Sequence, residues 1–203
     1  MPLIVLEGID GCGKSTQARR LLERLGGDAL LLREPGGTVL GEQVRGVLLD
    51  TATRACPVAE FFGYQMARAQ LCAEVLTPAL AAGRLVVLDR FWHSTIAYQA
   101  FGLGLPLAQV RAAIDLAVGD ITPDKVLWID VPVEECLKRR ANAGADRIER
   151  RGAAYLERVR AGYLSLAQSG ELVRVDGVGT ADEVEQRIKD VLGSVAKSRS
   201  DLR

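Results

Sequence analysis

The chain has 203 residues, 48% apolar and 26% charged, with 26 Lys plus Arg balanced by 26 Asp plus Glu. This is an ordinary globular composition, long enough for one sizeable core and short for two. Zero formal charge gives no support for a nucleic-acid surface, although a local basic patch remains compatible with it. There is no run of about 18 apolar residues to span a membrane, and residues 1–7 lack the basic start of a secretory leader. The expectation is a single cytoplasmic domain over 1–203, with neither nucleic acid nor membrane as a partner. Cys12, Cys56, Cys72 and Cys136 form no C-x-x-C pair and His93 is the single histidine, which disfavours a zinc site.

In chain order, residues 3–6 form a first apolar strand, followed by a helical pattern over 15–25 and a strand over 29–32. Helices are expected over 39–49 and 59–82, a strand over 85–88, and helices over 94–99 and 107–118. A strand over 126–129, helices over 133–141 and 153–168, a strand over 172–175 and a helix over 181–192 complete the pattern, leaving a polar tail at about 194–203. The strand segments are nearly continuous in Leu, Ile and Val, as suits strands buried on both faces of a parallel sheet. Alternating β and α units imply a doubly wound α/β fold with five parallel strands surrounded by helices. Ligands bind such sheets beyond the carboxyl ends of the strands, so the residues after each strand carry the functional argument.

The first strand runs into Gly8-Ile9-Asp10-Gly11-Cys12-Gly13-Lys14-Ser15, a G-x-x-x-x-G-K-S phosphate loop between a strand and a helix. Its backbone N–H groups and the helix N-terminus suit an anion. Lys14 is placed to reach the β and γ phosphates of ATP and the Ser15 hydroxyl to meet Mg²⁺. Asp10, inside the loop, reads as facing a phosphoryl acceptor, against the alternative of a solvent-facing carboxylate.

The third strand ends in Leu88-Asp89-Arg90. Asp89 suits a water-mediated Mg²⁺ contact, and Arg90 stands where water-activating ATPases usually carry a second carboxylate. A fixed cation there points to an anionic acceptor, hence to a transferase. No N-K-x-D motif is present, which disfavours a GTPase switch. After the second strand, Arg33-Glu34-Pro35-Gly36-Gly37-Thr38 is either a charged binding loop or a turn before a helix, and Arg45 points back to the same edge or lies on the surface. Residues 141–152 are arginine-dense and hinged at Gly144 and Gly152, reading as a mobile cationic lid or as a solvated helix end.

These pieces resemble thymidylate kinase, a nucleoside monophosphate kinase of the P-loop NTPase class, over essentially residues 3–192. The matching stretches are 8–16, 33–38, Gly41-Glu42 with Arg45, Ala67-Arg68-Ala69-Gln70 and Pro78-Ala79-Leu80, then Asp89-Arg90, Ser94-Thr95-Ile96-Ala97-Tyr98-Gln99 and Asp146-Arg147-Ile148-Glu149. The resemblance implies phosphorylation of dTMP by ATP with Mg²⁺ and a homodimer formed through residues 39–82. It implies that Gly8 to Thr16 hold the ATP phosphates, with Ser15 and Asp89 on the metal, and that Arg139 or Arg140 covers the adenine. On the acceptor side, Glu34 and Pro35 belong to the matched loop, Asp10 would contact the sugar hydroxyl or the acceptor side more generally, Arg45 the dTMP phosphate, and Arg90 both phosphates. Arg68 would bond a thymine carbonyl, Thr95 and Gln99 the base edge, and Tyr98 would crowd a ribose 2′-hydroxyl.

The chain departs from the family in two places. Tyr64 stands where a phenylalanine commonly stacks on thymine, and Trp92-His93 follows Phe91 where one aromatic is more usual. A tyrosine ring still stacks, and His93 reads as a structural or surface residue. Family members without an arginine at the position of Gly11 use lid arginines, which makes Arg147 the leading catalytic candidate, assisted by Arg150 or Arg151. The rival readings are a deoxynucleoside kinase or another monophosphate kinase, and a nucleotide-binding protein that no longer turns over.

Overall fold

The structure, a computed structural model, describes residues 3–141 and 147–200. Five strands form one parallel sheet: β1 (Leu3–Glu7), β2 (Leu30–Arg33), β3 (Val86–Asp89), β4 (Lys125–Asp130) and β5 (Val173–Asp176), in the order β2-β3-β1-β4-β5. β1 is buried throughout, whereas β2 at the edge is only partly covered. The predicted strands coincide with the observed ones to within a residue at each end, because continuous Leu, Ile and Val runs have both faces to bury.

The helices are α1 (Lys14–Leu25), α2 (Val39–Leu49), α3 (Pro57–Leu71), α4 (Thr77–Ala81), α5 (Trp92–Thr95), α6 (Leu107–Val118), α7 (Val133–Arg140), α8 (Ala153–Gln168) and α9 (Ala181–Ser200). Local chemistry sets several of their starts. Thr38 caps α2 by accepting from the Gly41 amide at 2.9 Å, and Pro57 opens α3 with no amide to leave unsatisfied. The last helix runs on to Ser200, into the segment expected to be a polar tail, and residues 201–203 lie outside the described residues.

Two expected helices are not regular. The segment predicted over 59–82 changes to a π-helical turn at Cys72–Leu76 between α3 and α4. The short helix predicted over 94–99 is α5 followed by a π-helical turn at Ile96–Gly102. Single π turns are common at functional sites, and this one carries Tyr98 and Gln99. It packs closely on α8 because glycines stand where side chains would collide. A Cβ on Gly102 would lie 2.7 Å from the Tyr155 ring, and one on Gly162 would lie 2.9 Å from the Ala97 Cα.

Gly162→Ala should therefore lower unfolding free energy by about 1–3 kcal/mol through overpacking. Urea denaturation of the variant beside the parent chain measures it.

Candidate active site

The phosphate loop joins β1 to α1. Gly11 (φ 88°) and Gly13 (φ 97°) adopt the left-handed backbone that other residues avoid, and Gly13 is the N-cap of α1. Ile9 and Cys12 turn their side chains into the core, so these two loop positions have only backbone to offer an anion. At Gly11 there is also no room: a Cβ would stand 2.6 Å from the Cys136 carbonyl oxygen and 3.1 Å from the Arg140 side chain. Arg140 therefore lies against the loop from α7, while Arg139 is exposed and donates to Glu135 at 3.1 Å. Thr16 is exposed at the start of α1.

Lys14 is buried and donates to Asp10 Oδ1 at 3.0 Å, and the same oxygen accepts from Arg90 Nη2 at 2.9 Å. One carboxylate thus fixes both cations. Burial opposes the ionisation of Asp10, but Arg90 and Lys14 overcome it and hold its pKa well below the usual carboxylate range. Ser15 donates its hydroxyl proton to Asp89 Oδ2, and Asp89 Oδ1 is buried with no hydrogen-bond partner among the described residues. A buried carboxylate oxygen without a donor, beside a hydroxyl, suits a divalent cation. Among the described residues no group of three or more His, Cys, Asp or Glu could hold a metal, so further oxygens would come from nucleotide phosphate and water.

Arg90 follows β3 with φ 72°, an uncommon left-handed value for a non-glycine residue. Its guanidinium donates to Asp10, Ser94 (3.0 Å), Tyr98 (3.1 Å) and Tyr163 (3.3 Å), and its centre lies 4.9 Å from the Tyr98 ring centroid. Behind it Glu7, fully buried, accepts from the Phe91 amide (2.8 Å), the Ser94 amide (3.2 Å), the Ser94 hydroxyl and Tyr163 (2.9 Å). Burial pushes the Glu7 pKa up, opposed by Arg90 and these donors. Glu7 fixes the turn that presents Arg90.

Next to Arg90 a cleft is lined by Asp10, Glu34, Pro35, Arg45, Leu49, Tyr64, Arg68, Arg90, Ser94, Thr95, Tyr98, Gln99 and Ile148. Every residue expected to contact the acceptor reaches this one cleft. Arg68 is buried, gripping Glu34 through Nε (2.9 Å) and Nη2 (2.6 Å) and donating from Nη1 to Gln65 and Thr95 (2.8 Å). Burial raises the Glu34 pKa and Arg68 opposes it. Arg45 is half-buried and donates to the Pro35 carbonyl at 3.0 Å, so it points to the sheet edge as one of its two readings had it. Burial and then repulsion from Arg33 lower its pKa, which an anionic ligand would relieve. Gln99 donates from Nε2 to Glu60 at 3.2 Å.

The described residues of the expected lid lie beside this cleft, which Ile148 lines. Arg147 Nη1 pairs with Glu60 at 2.8 Å and its Nε donates to the Leu48 carbonyl at 2.9 Å, while Arg151 grips Glu60 with both terminal nitrogens. Arg147 Nη2 is buried without a partner among the described residues. Arg150 is exposed but not without contacts. Residues 142–146 of the expected lid, Gly144 and Asp146 included, lie outside the described residues. His93 is buried against Trp92, and burial lowers its pKa to about 3, which makes it a neutral structural histidine and rules out the surface position.

Sequence reasoning gave no role to Glu7, Glu60, Ser94 or Tyr163, and did not name Leu49 in the cleft. Glu60 had a signal: Glu60, Tyr64 and Arg68 recur every four residues, which stacks them on one face of α3. Glu7 and Tyr163 had none, since they meet across 156 residues of chain.

A family model described as thymidylate kinase matches residues 6–188. The chain is similar to the thymidylate kinase of Thermoanaerobacter sp. (strain X514), 42% identical over 194 residues, covering 93% of this chain and 96% of the relative. It is similar to that of Chlorobium luteolum, 43% identical over 166 residues, covering 75% and 78% of the two chains. The crystal structure of thymidylate kinase from Ehrlichia chaffeensis superposes with a TM-score of 0.77 at 30% identity, over 95% of this chain and 98% of that one.

Proposed function

The chain belongs to the thymidylate kinase family and phosphorylates dTMP with ATP, and we propose that it does so by direct transfer from the phosphate loop to a monophosphate held in the cleft, with Mg²⁺. The observation that carries this division is Asp10, whose one oxygen bonds Lys14 of the loop and Arg90 of the cleft. Donor and acceptor subsites share that carboxylate, so the two phosphates meet there.

In this reading residues 8–16 hold the ATP phosphates through backbone N–H groups and Lys14, with Arg140 or Arg139 near the adenine. Ser15 and Asp89 would hold Mg²⁺, which would supply charge neutralisation of the phosphates when bound. Arg45 and Arg90 bind the dTMP phosphate, whose oxygen is already anionic and needs no general base. Asp10 fixes the angle of Arg90 and meets the sugar. Tyr64 stacks on the base, Arg68 with Thr95 and Gln99 reads its edge, Glu34 and Pro35 shape the wall, and Tyr98 packs against the sugar. The work of these groups is positioning and charge stabilisation, the terms that dominate phosphoryl transfer. The product dTDP serves dTTP synthesis, and the enzyme works as one cytoplasmic domain with its lid near 141–152. Among the described residues no helix is long and apolar enough to cross a membrane.

A coupled ADP-release assay across dTMP, dUMP, CMP, AMP and thymidine tests the assignment. Turnover should be fastest on dTMP, and faster turnover of thymidine or AMP would overturn it.

For the lid, Arg147 is the catalytic candidate, with Arg150 or Arg151 assisting. Its neighbour Ile148 lines the cleft, and its buried Nη2 has no partner among the described residues, which leaves a donor suited to a phosphoryl oxygen. Arg147→Ala should lower kcat by about 10³-fold, as for other arginines that stabilise transferred phosphoryl groups. An unchanged kcat would remove Arg147 from the mechanism.

We assign the homodimer to α2 and α3, which pack on each other and leave Val47, Val58, Phe62 and Met66 exposed. Val58, Phe62 and Met66 recur every four residues on one face of α3, an unpaired apolar stripe. Sedimentation should give a dimer for the parent chain and a monomer for Phe62→Glu.

A further inference from the structure

Glu60 is a charge buried behind the acceptor cleft, with 0% of its surface exposed. It lies two helical turns before Arg68 and does not itself line the cleft. Its Oε1 accepts from Gln99 Nε2 (3.2 Å) and Arg151 Nη1 (3.1 Å), and its Oε2 accepts from Arg147 Nη1 (2.8 Å) and Arg151 Nη2. A carboxylate paired with two guanidinium groups accepts hydrogen bonds and has none to give. The Gln99 amide therefore has one orientation available: its NH₂ group faces Glu60, and its carbonyl oxygen is left for the cleft.

We propose that Glu60 is a specificity-determining positioning residue, which fixes the Gln99 amide so that the cleft presents an acceptor beside the Arg68 donors. Resting on the reading of the cleft as the dTMP site, this gives the chemical reason for the choice of base. A keto pyrimidine carries an N–H between two carbonyl groups, so a ring N–H meets Gln99 Oε1 while a carbonyl meets Arg68. An aminopyrimidine carries a lone pair at that ring nitrogen and an exocyclic amine beside it, which sets acceptor against acceptor and donor against donor. Unpaired buried polar groups are what give such sites their discrimination.

The same carboxylate ties this orientation to the lid. Arg147 and Arg151, both within the expected lid at 141–152, pair with Glu60, so the carboxylate that orients the base-reading amide is itself held by arginines of that segment. Gln65 makes a parallel contact on the other side, giving its own carbonyl to Arg68. The two glutamines thus have opposite tasks: Gln65 steers the reading cation, and Gln99 reads.

The test compares kcat/KM for dTMP and dCMP, with ATP, in the parent chain, Glu60→Gln, Glu60→Asp, Gln99→Leu and the double variant Glu60→Gln/Gln99→Leu. An amide at position 60 can donate as well as accept, so Glu60→Gln should narrow the dTMP to dCMP ratio by about 10-fold or more. Glu60→Asp, which keeps the acceptor-only group, should stay close to the parent ratio. In the Gln99→Leu background the Glu60→Gln change should leave the ratio unmoved, because its effect travels through Gln99. Equal losses on both nucleotides in Glu60→Gln, or the same narrowing without Gln99, would overturn the proposal. Should Glu60→Gln not fold, a crystal structure of the parent chain with dTMP decides: Gln99 Nε2 on Glu60 with Oε1 facing the ring N–H supports it, and a Gln99 turned away from Glu60 overturns it. A parent chain inactive on dTMP would instead sink the functional reading beneath it.

Discussion

The Arg90 amide donates to the Leu6 carbonyl at 2.9 Å, tying the exit of β3 to the exit of β1. Nearly everything in the active site hangs from that bond. β1 leaves it as Glu7 and the phosphate loop, and β3 leaves it as Arg90 and the turn into α5. Because the sheet is parallel, with Leu6 opposite Asp89 in register, both exits face the same edge. A one-residue slip would turn alternate side chains to the opposite face of the sheet. Ser15 would lose Asp89, and Asp10 would lose Arg90. The burial of β1 and β3 therefore secures the relative placement of donor and acceptor groups as well as the core.

Overall neutrality hides a dense internal charge pattern. Glu7, Glu34 and Glu60 are buried, and each has arginine or hydroxyl partners that account for its acceptor capacity. Such buried pairs contribute little net stability, because desolvation offsets most of their attraction, while loss of one partner costs about 3–5 kcal/mol. Their value lies in direction. Arg68 is aimed by Glu34, Gln65 and Thr95, and Arg90 by Asp10, Ser94, Tyr98 and Tyr163. A guanidinium held on several sides needs little rearrangement when substrate arrives, and preorganisation of this kind carries much of enzymatic electrostatics.

The parts of the fold and site that were legible in the sequence share one property: local chemistry determines them. Residues 3–6 and 85–88 had no reading but buried strand, and Gly8 to Ser15 must curl because glycine spacing and the following helix require it. Asp89 and Arg90 were found because a strand end is a known place to look. The π-helical turn at Ile96–Gly102 was not legible, since its register depends on Gly102 and Gly162 allowing α8 to approach. Propensity along the segment could not report that contact. Glu7 escaped notice because a glutamate ending a strand looks like a surface residue until Tyr163 covers it. Arg147 was expected as the leading catalytic arginine with Arg150 or Arg151 assisting, but the pairing of Arg147 and Arg151 with Glu60 is a contact that only the packing of this segment against α3 reveals.

Gly11 bears on how such enzymes diverge. Any side chain there would begin 2.6 Å from the Cys136 carbonyl, on a backbone at φ 88°. An arginine planted in this loop would have to displace α7 and the Arg140 that lies against it. A side chain at this loop position and the close packing of α7 over the loop therefore exclude one another. Positive charge directed at a phosphate bound in this loop has to come from Lys14 or from outside the loop.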